Sequence, residues 1–428
     1  MTWGILAASL LTLLATGAVL GAGLGLTGLI LLHFQAGGAT GLAVMSVWNV
    51  FTDFTLSAVP IFIFLGDILL ASGISDRIYS GLTPLFHRIP GKLLHTNIAV
   101  CTVFGAVSGS SSSTAAAVGS VGYPELAKRG YHGPTIVGSL AAGGTLGLLV
   151  PPSLALLIYG ATQNVSIGKL FLAGILPGLM LACFFSLFIA ALCTLRPGLV
   201  PEETTRPGLR QILLGLRSIW PLPILIFFVL GTIYLGFATA TEAAALGVAA
   251  AIVLGFVWGN LTLAKLWQSF LGSTLVFGAI ALIMVGTLIL AQAISILGLP
   301  QALVDWAAGL GLSPHAVLLV IILVYLVLGC FFDGISLLLM TLPITFPVVT
   351  AVGFDPVWFG VIVTILMEVG MITPPVGLNL FVLVTMTGQK VSLMEAALAT
   401  VPYWFIMMGA IGLFTAWPQI VLFLPSFY

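Results

Sequence analysis

Long apolar segments alternate with short polar ones along the whole chain. Apolar stretches of about 20 residues can cross the hydrocarbon core of a bilayer as α-helices, and such stretches recur from one end to the other. The pattern therefore predicts an all-α polytopic membrane protein. The first segment, "MTWGILAASLLTLLATGAVLGAGLGLTGLILLHF", has no basic start and no convincing cleavage site followed by a soluble domain. We expect it to be membrane-embedded helix rather than a removed signal peptide.

The composition strengthens this prediction. Hydrophobic residues make up 60% of the 428 positions and charged residues only 6%, which leaves too little polar surface for a soluble domain of this size. The lipid bilayer is the expected surrounding, and with a net charge of zero we expect no nucleic-acid partner. The cysteines are scattered in apolar segments without CxxC pairs, which favours packing over metal or redox chemistry. They are Cys101, Cys183, Cys193 and Cys330.

The basic residues indicate which loops lie inside the cell. Twelve Lys and Arg residues are present, and none lies between Lys265 and Lys390. Short loops that carry Lys and Arg mark the cytoplasmic side. The loops predicted to lie inside are 76–92, 128–134 and 196–217, and those predicted to lie outside are 298–313 and 351–356.

A Gly/Ser-rich stretch, "GAVSGSSSSTAAAVG" at 105–119, lies between two of the inside loops. The roughly 35 residues between those loops are too few for two full spans. They predict a re-entrant helical hairpin over about 94–127, with its tip at 108–113. Helix packing by small residues explains a Gly or Ser at every fourth position, but not six consecutive ones. Irregular backbone at membrane depth is tolerated where it lines a cavity or is buried in protein, so a polar ligand is expected at this tip.

Two Pro-Pro pairs predict broken helices at matching places. Pro151-Pro152 interrupts an apolar span over about 135–163, and Pro374-Pro375 interrupts one over about 357–388, because proline lacks an amide donor. Gly109 precedes the first pair by 42 residues, and Gly334 precedes the second by 40. A second re-entrant hairpin is therefore predicted over about 314–350.

These spacings predict an internal repeat, which divides the chain. The repeats cover 50–195 and 272–428, and the loop charges give them opposite orientations. Inverted repeats with interrupted helices are typical of secondary transporters whose site lies at the midplane. The remaining segments are predicted as N-terminal scaffold helices over 1–49, a cytoplasmic loop over 196–217, and scaffold helices with a connecting arm over 218–271.

The broken helices also suggest the chemistry of the site. The free carbonyls at the end of one half-helix suit a hard cation such as Na⁺, and the free amides at the start of the next suit an anion. With each hairpin tip facing the break of its own repeat, two cation sites are expected around a central anion. The candidates for the first are Ser108, Gly109, Ser110, Thr114, Gly147, Val150 and Pro152, and those for the second are Asp333, Gly334, Ser336, Gly370, Thr373 and Val376.

An anionic substrate would have no basic side chain to meet at the tips. No Lys or Arg lies at membrane depth in either tip, and a bare charge at the bilayer centre costs at least roughly 2.5–3.5 kcal/mol. Bound cations, hydroxyl groups and helix N-termini would have to hold the anion, so cation coupling is expected. The substrate-binding candidates are Ser111, Ser112, Ser113, Ser153 and Asn379.

Several motifs, in order along nearly the whole chain, resemble the large membrane subunit of tripartite ATP-independent periplasmic (TRAP) transporters. They are "GSSSSTAAAVGSVGYPELAKRGY", "GTLGLLVPPSLALLIYG", "SIGKLFLAGILPG", "GFATATEAAALG" and "GMITPPVGLNLFV". The resemblance implies an ion-transporter architecture with an elevator mechanism in the bacterial inner membrane. It also implies Na⁺-driven uptake of small organic acids, such as C4-dicarboxylates or sialic acid, with no cofactor besides the coupling ion.

The same resemblance implies two partners, a separate small four-helix membrane subunit and a periplasmic substrate-binding protein. Some members carry an acidic residue where this chain has Thr114, which bears on the charge of the first cation site. A stand-alone Na⁺/anion symporter, which needs no binding protein, is the alternative. An intramembrane hydrolase is disfavoured because Ser110 has no His or Lys at matching depth, so the chain is not expected to be an enzyme.

Four acidic residues leave more than one interpretation open. Glu368 lies six residues before the second Pro-Pro pair and either supports a cation ligand or serves packing. Glu242 either caps a helix or takes part in transport. Asp53 and Asp67 are either ion ligands or scaffold residues.

Overall fold

The computed structural model describes residues 19–201 and 207–428. Before residue 19 it describes Gly4, Ala8, Ser9, Thr12 and Gly17. The prediction for the beginning of the first segment, and the part of the predicted cytoplasmic loop at 202–206, lie outside the described residues. Within them the chain forms helices and no strand. Seven helices are long and apolar enough to cross a membrane, or eight if a bent pair counts as one span. The predicted all-α, multi-pass architecture is confirmed.

From residue 19 onwards, the first half of the described chain contains nine α-helices. They are α1 (Leu20–Phe34), α2 (Gly41–Thr52), α3 (Ala58–Ala71), α4 (Ile74–Leu82), α5 (Leu93–Ser108), α6 (Ser111–Lys128), α7 (Gly133–Leu149), α8 (Leu154–Gln163) and α9 (Ile167–Leu195).

The second half begins with α10 (Leu209–Ser218) and α11 (Pro221–Ile226), which continues through a π-helical turn, Phe227–Gly231, into α12 (Thr232–Tyr234). The remaining helices are α13 (Ala240–Val257), α14 (Leu263–Ile296), α15 (Leu299–Gly309), α16 (Pro314–Gly329), α17 (Gly334–Ala351), α18 (Pro356–Met371), α19 (Leu378–Met386), α20 (Leu393–Ala416) and α21 (Gln419–Leu422).

Two pairs of helices form tight hairpins, α5–α6 and α16–α17. The chain turns from α5 to α6 at Gly109, whose φ of 62° suits glycine because it has no Cβ. Ser110 then caps α6 by accepting a hydrogen bond from the Ser113 amide. Asp333 caps α17 in the same way, through the Ser336 amide at 3.1 Å. Both turns thus end in a side chain that satisfies an amide left free at a helix start.

The two Pro-Pro pairs separate α7 from α8 and α18 from α19. Neither proline can donate the amide hydrogen bond that would continue the helix. Residues 136–160 of the span formed by α7 and α8 are all buried within the protein, whereas α9, α13, α14 and α20 bury a minority of their apolar spans. Protein therefore surrounds the interrupted backbone of α7–α8, as non-helical chain at membrane depth requires.

Around these central elements lies a framework of longer helices. The 34-residue helix α14 packs against α1, α2 and α3, and α13 packs on α3. Helices α5 and α6 pack on α7, while α16 and α17 pack on α18. The two repeats meet where α7 contacts α18, α19 and α20, and where α6 contacts α19. Helix α14 also contacts α17 of the second hairpin. The hairpins and broken helices thus form one central body beside the framework.

The loops gather at two opposite ends of the molecule. At one end, Lys92 Nζ donates to the Pro201 carbonyl at 2.8 Å, and the His132 amide donates to the Leu199 carbonyl at 3.2 Å. His132 also lines a pocket with Arg196 and Glu395. The predicted inside loops therefore share one end. The pocket at the other end is lined by Asp53, Asn164, Ser166, Thr239 and Tyr428, among others.

This arrangement predicts the sidedness of two exposed positions. Lys390, in the loop that precedes α20, belongs to the end with the basic loops, and Asp305 lies on α15 at the opposite end. We expect a membrane-impermeant maleimide to label Asp305→Cys in intact spheroplasts and Lys390→Cys only after the membrane is opened. The parent chain, with its four native cysteines, is the control. The reverse labelling order would contradict the inverted orientation of the repeats.

Candidate transport site

The tip of the first hairpin lies directly against the first helix break. The Leu154 amide donates to the Gly109 carbonyl at 3.3 Å, which ties the start of α8 to the tip. A Cβ on Gly147 would lie 2.7 Å from the Ser110 carbonyl oxygen and 2.6 Å from Thr114 Oγ1. A Cβ on Gly109 would lie 3.0 Å from the Pro152 carbonyl oxygen. Six of the seven candidates for the first cation site therefore lie together, with Ser108 joined through Thr114.

Ser108 and Thr114 share a hydrogen bond across this tip. Their hydroxyl oxygens are 2.8 Å apart, and the two residues are 2% and 0% exposed. Each hydroxyl oxygen keeps a lone pair beyond the one used in this bond. The pair thus supplies two neutral oxygen donors in a buried place.

The side chain of Val150, the seventh candidate, packs against helix α9. A Cβ on Gly178 of α9 would lie 2.7 Å from Val150 Cγ2. The Val150 amide donates to Leu146 and ends α7. Only its carbonyl oxygen is thus available as a candidate donor.

The second tip lies against the second break. The Val376 amide donates to the Cys330 carbonyl at 3.3 Å. A Cβ on Gly370 would lie 2.8 Å from Gly329 Cα, so α16 and α18 touch backbone to backbone. Gly334 packs on Met367, and Thr373 Oγ1 donates to the Val369 carbonyl. The tip elements and the break are therefore in contact, with Asp333 as the acidic group of the tip.

The two tip–break contacts differ in exposure. Pro151, Pro152 and Ser153 are all buried. At the second break, Pro374 and Pro375 are exposed and Val376 is 44% exposed. The second break is thus the more accessible of the two.

Ser111 joins the two repeats through side chains. Its hydroxyl donates to Glu368 Oε2 at 2.8 Å and accepts from Asn379 Nδ2 at 2.6 Å. Ser112 Oγ donates to Asn379 Oδ1 at 3.4 Å. Ser111, Asn379 and Glu368 are each at most 1% exposed. Three of the five substrate candidates thus form one polar cluster, which we call the central cluster: Ser111, Ser112, Glu368 and Asn379.

Ser153 and Ser113 have other contacts. Ser153 Oγ donates to the Leu148 carbonyl and accepts from the Leu156 amide, so it caps α8. The structure does not bring its hydroxyl to the central cluster. Ser113 is partly buried, and its amide is the group that Ser110 caps. Both remain predictions as substrate ligands.

The electrostatics of the site are set by neutral groups and carboxylates. None of α5, α7, α8 or α16–α19 carries a Lys or Arg, and in α6 the only one is Lys128, at its end. Within the described parts of the chain, the ion pair between Arg129 and Glu125 lies far from the tips, at the exposed end of α6. A bound anion would therefore meet hydroxyl, amide and helix-terminal groups. Positive charge would have to come with bound cations.

Two other acidic residues have capping roles. Glu242 forms a capping box with Thr239 at the start of α13, which favours its structural interpretation. Asp53 accepts hydrogen bonds from the amides of Thr55 and Leu56 in the loop before α3. Asp67 lies on α3 near Gly272 and Ser269 of α14, in the framework rather than at the tips.

The sequence analysis missed a pair of glycine contacts. Gly105 packs on Gly147, and Gly329 packs on Gly370. Gly105 lies four residues before Gly109, and Gly329 four before Asp333; Gly147 and Gly370 each lie four residues before a Pro-Pro pair. That recurrence was the available signal. It means that Gly147 and Gly370 are close-packing positions whatever their carbonyls bind.

Hairpin tips packed against broken helices, and a buried polar cluster between apolar spans, define a helical membrane transport protein. Its fold resembles that in "Crystal structure of the Alcanivorax borkumensis YdaH transporter reveals an unusual topology", with a TM-score of 0.65 over 98% of this chain and 99% of that one. The sequence identity is 14%, so this likeness concerns the fold alone.

The family follows from sequence. Residues 7–420 match the family described as "Tripartite ATP-independent periplasmic transporter, DctM component". The chain is 34% identical to the C4-dicarboxylate TRAP transporter large permease protein DctM of Pseudomonas aeruginosa, over 94% of this chain and 93% of that protein. It is 34% identical to the sialic acid TRAP transporter large permease protein SiaM of Vibrio cholerae, over 88% and 87%. The chain therefore belongs to the large permease subunits of TRAP transporters and is a multi-pass protein of the bacterial inner membrane, not an enzyme.

Proposed function

We propose that this chain is the Na⁺-coupled membrane subunit that imports a small organic anion delivered by a periplasmic binding protein. The observation that carries the proposal is the contact of each hairpin tip with the helix break of its own repeat. Each contact gathers hydroxyl, carbonyl or carboxylate oxygens where basic side chains are absent. Oxygen donors of this kind suit a hard cation, and a cation would offset the charge of the anion.

The central cluster supports an organic acid as the substrate. Ser111, Ser112 and Asn379 offer neutral hydrogen-bonding groups, which can orient a carboxylate without a permanent positive charge. Two relatives are named for C4-dicarboxylate and for sialic acid, both of which are acids. We therefore propose a small organic acid with a carboxylate group as the substrate.

The mechanism proposed is alternating access of the elevator type. The hairpins and broken helices pack on one another, and α14 packs with α1, α2 and α3 in a framework beside them. The framework contacts the central body where α14 meets α17 and where α3 meets α5 and α8. Two sets of helices with dense internal packing can move as units. The central body would carry the site past the framework, and cation binding at the tips would permit the movement.

The partners proposed are a small four-helix membrane subunit, present as a separate chain, and the binding protein. Membership of a family of tripartite transporters supports both partners. The framework helices α13 and α14 leave large apolar side chains exposed, including Leu246, Val253, Leu275 and Leu282. Lipid or a membrane subunit would cover such a face.

The test is uptake of labelled organic acids into proteoliposomes that contain the chain and its small subunit. Binding protein and an inward Na⁺ gradient are each added or omitted. Uptake that requires both supports the tripartite, Na⁺-coupled function. Uptake without the binding protein supports the stand-alone symporter instead, and uptake indifferent to Na⁺ contradicts the coupling.

Asp333 provides a sharper test of the second cation site. Asn can also cap a helix, so Asp333→Asn removes the charge while retaining the cap. We expect the Na⁺ concentration for half-maximal uptake to rise roughly tenfold, because losing a charged ligand costs at least about 1.4 kcal/mol.

The matched control is Asp355→Asn. Asp355 caps α18 through the amides of Val357 and Trp358 and is not a candidate cation ligand. Its replacement should leave the Na⁺ dependence unchanged. An equal shift in both variants, or in neither, would remove Asp333 from the cation site.

A further inference from the structure

Glu368 is a buried carboxylate that the two tip sites do not use. It lies in the last turn of α18, two residues before Gly370, which packs against the second hairpin. Its side chain extends instead to the first hairpin, where Oε2 accepts the hydrogen bond from Ser111. The residue therefore stands between the two repeats.

One oxygen of this carboxylate has no hydrogen-bond partner among the described residues. Glu368 is 1% exposed, and Oε1 accepts no hydrogen bond from any described residue. No described Lys or Arg pairs with it, since the ion pair that the structure describes is Arg129–Glu125. A buried polar oxygen left without a partner costs about 1–3 kcal/mol, and more if it carries charge, so a ligand at Oε1 would lower the free energy of this site.

The corresponding place in the first repeat has neither the carboxylate nor the amide. Counted from the Pro-Pro pairs, Thr145 corresponds to Glu368 and Leu156 corresponds to Asn379. Thr145 donates to the Ala142 carbonyl of its own helix, and Leu156 is fully buried. The carboxylate and the amide are therefore features of the second break alone.

The proposed substrate adds an electrostatic constraint. Ser111 and Asn379 are hydrogen-bonded to each other beside Glu368, so an organic anion at the central cluster would approach a carboxylate. With Glu368 ionised, two like charges about 4 Å apart would repel by about 4 kcal/mol at an effective dielectric constant of about 20. A positive charge at Glu368 removes that repulsion.

We infer that Glu368 Oε1, together with oxygens of Ser111 and Asn379, forms a third site for a monovalent cation, separate from the two tip sites. A carboxylate, a hydroxyl and an amide oxygen are hard donors of the kind that Na⁺ accepts. This inference rests on the proposed Na⁺-coupled function. A cation here neutralises Glu368, contacts the substrate cluster and ties the first tip to the second broken helix.

The test is equilibrium binding of ²²Na⁺ to the purified complex of the chain with its small subunit. Glu368→Gln is compared with the wild type, with Glu368→Asp and with Glu395→Gln. Glu395 forms an exposed capping box, which Gln can also form. We expect Glu368→Gln to bind one Na⁺ fewer than the wild type, with a lower Hill coefficient for Na⁺ in uptake.

The other variants make the result specific. Glu368→Asp keeps the charge, so it should keep the full number of sites with weaker binding, and Glu395→Gln should match the wild type. If Glu368→Gln binds as many Na⁺ ions as the wild type, the inference is overturned, because a neutral side chain would then suffice. That result would leave the two proposed tip sites unaffected. No Na⁺ binding by the wild type overturns the proposed coupling itself, and this inference with it.

Discussion

Replacing Gly147 by alanine is expected to lower Na⁺-driven uptake by at least about tenfold. Its Cβ would lie 2.6 Å from Thr114 Oγ1 and 2.7 Å from the Ser110 carbonyl oxygen. The carbonyl belongs to backbone, so the tip itself would have to move away from α7. Overpacking of this kind costs about 1–3 kcal/mol, and the displacement would separate the candidate ligands of the first cation site.

The matched control is Gly409→Ala on α20. A Cβ there would meet no atom within 4 Å, and alanine is the better helix former. Uptake and the thermal unfolding midpoint of the purified complex are measured for both variants. Gly409→Ala should behave as the wild type. Normal uptake by Gly147→Ala would show that transport does not depend on the close contact between the first tip and α7.

Much of the architecture could be predicted because single residues determine local backbone. Gly109 occupies the left-handed turn between α5 and α6, and the Pro-Pro pairs lie between helices since they cannot donate amide hydrogen bonds. Charge placement likewise grouped the loops that meet at one end, as Lys92 and Pro201 do. Helix ends of this kind are local properties, and sequence patterns report local properties well.

The details of the site could not be predicted, because they depend on which helices meet. The sequence favoured Ser153 as a substrate ligand, yet its hydroxyl caps α8. Glu368 was recognised as a buried carboxylate, but its bond to Ser111 joins residues 257 positions apart. A contact across such a separation is set by the packing of the two repeats. The same applies to Gly105, whose neighbour Gly147 lies on another helix.

Ser111→Ala is expected to have an equally large effect, through the loss of one hydroxyl. That hydroxyl donates to Glu368 Oε2 and accepts from Asn379 Nδ2. Alanine would leave both partners buried and unsatisfied, at about 1–3 kcal/mol each. At the lower limit the total is about 2 kcal/mol, which corresponds to a roughly 30-fold loss in uptake efficiency.

Ser120→Ala on the same helix is the control. Ser120 is exposed, and among the described residues its hydroxyl donates to the Ala117 carbonyl of its own helix. Initial uptake rates over a range of substrate and Na⁺ concentrations separate weaker binding from slower turnover. We expect Ser111→Ala to raise the half-saturating concentrations of both substrate and Na⁺, because the central cluster lies between the two repeats and contacts both. A change in the maximal rate alone would place Ser111 in the movement of the hairpin rather than in ligand binding.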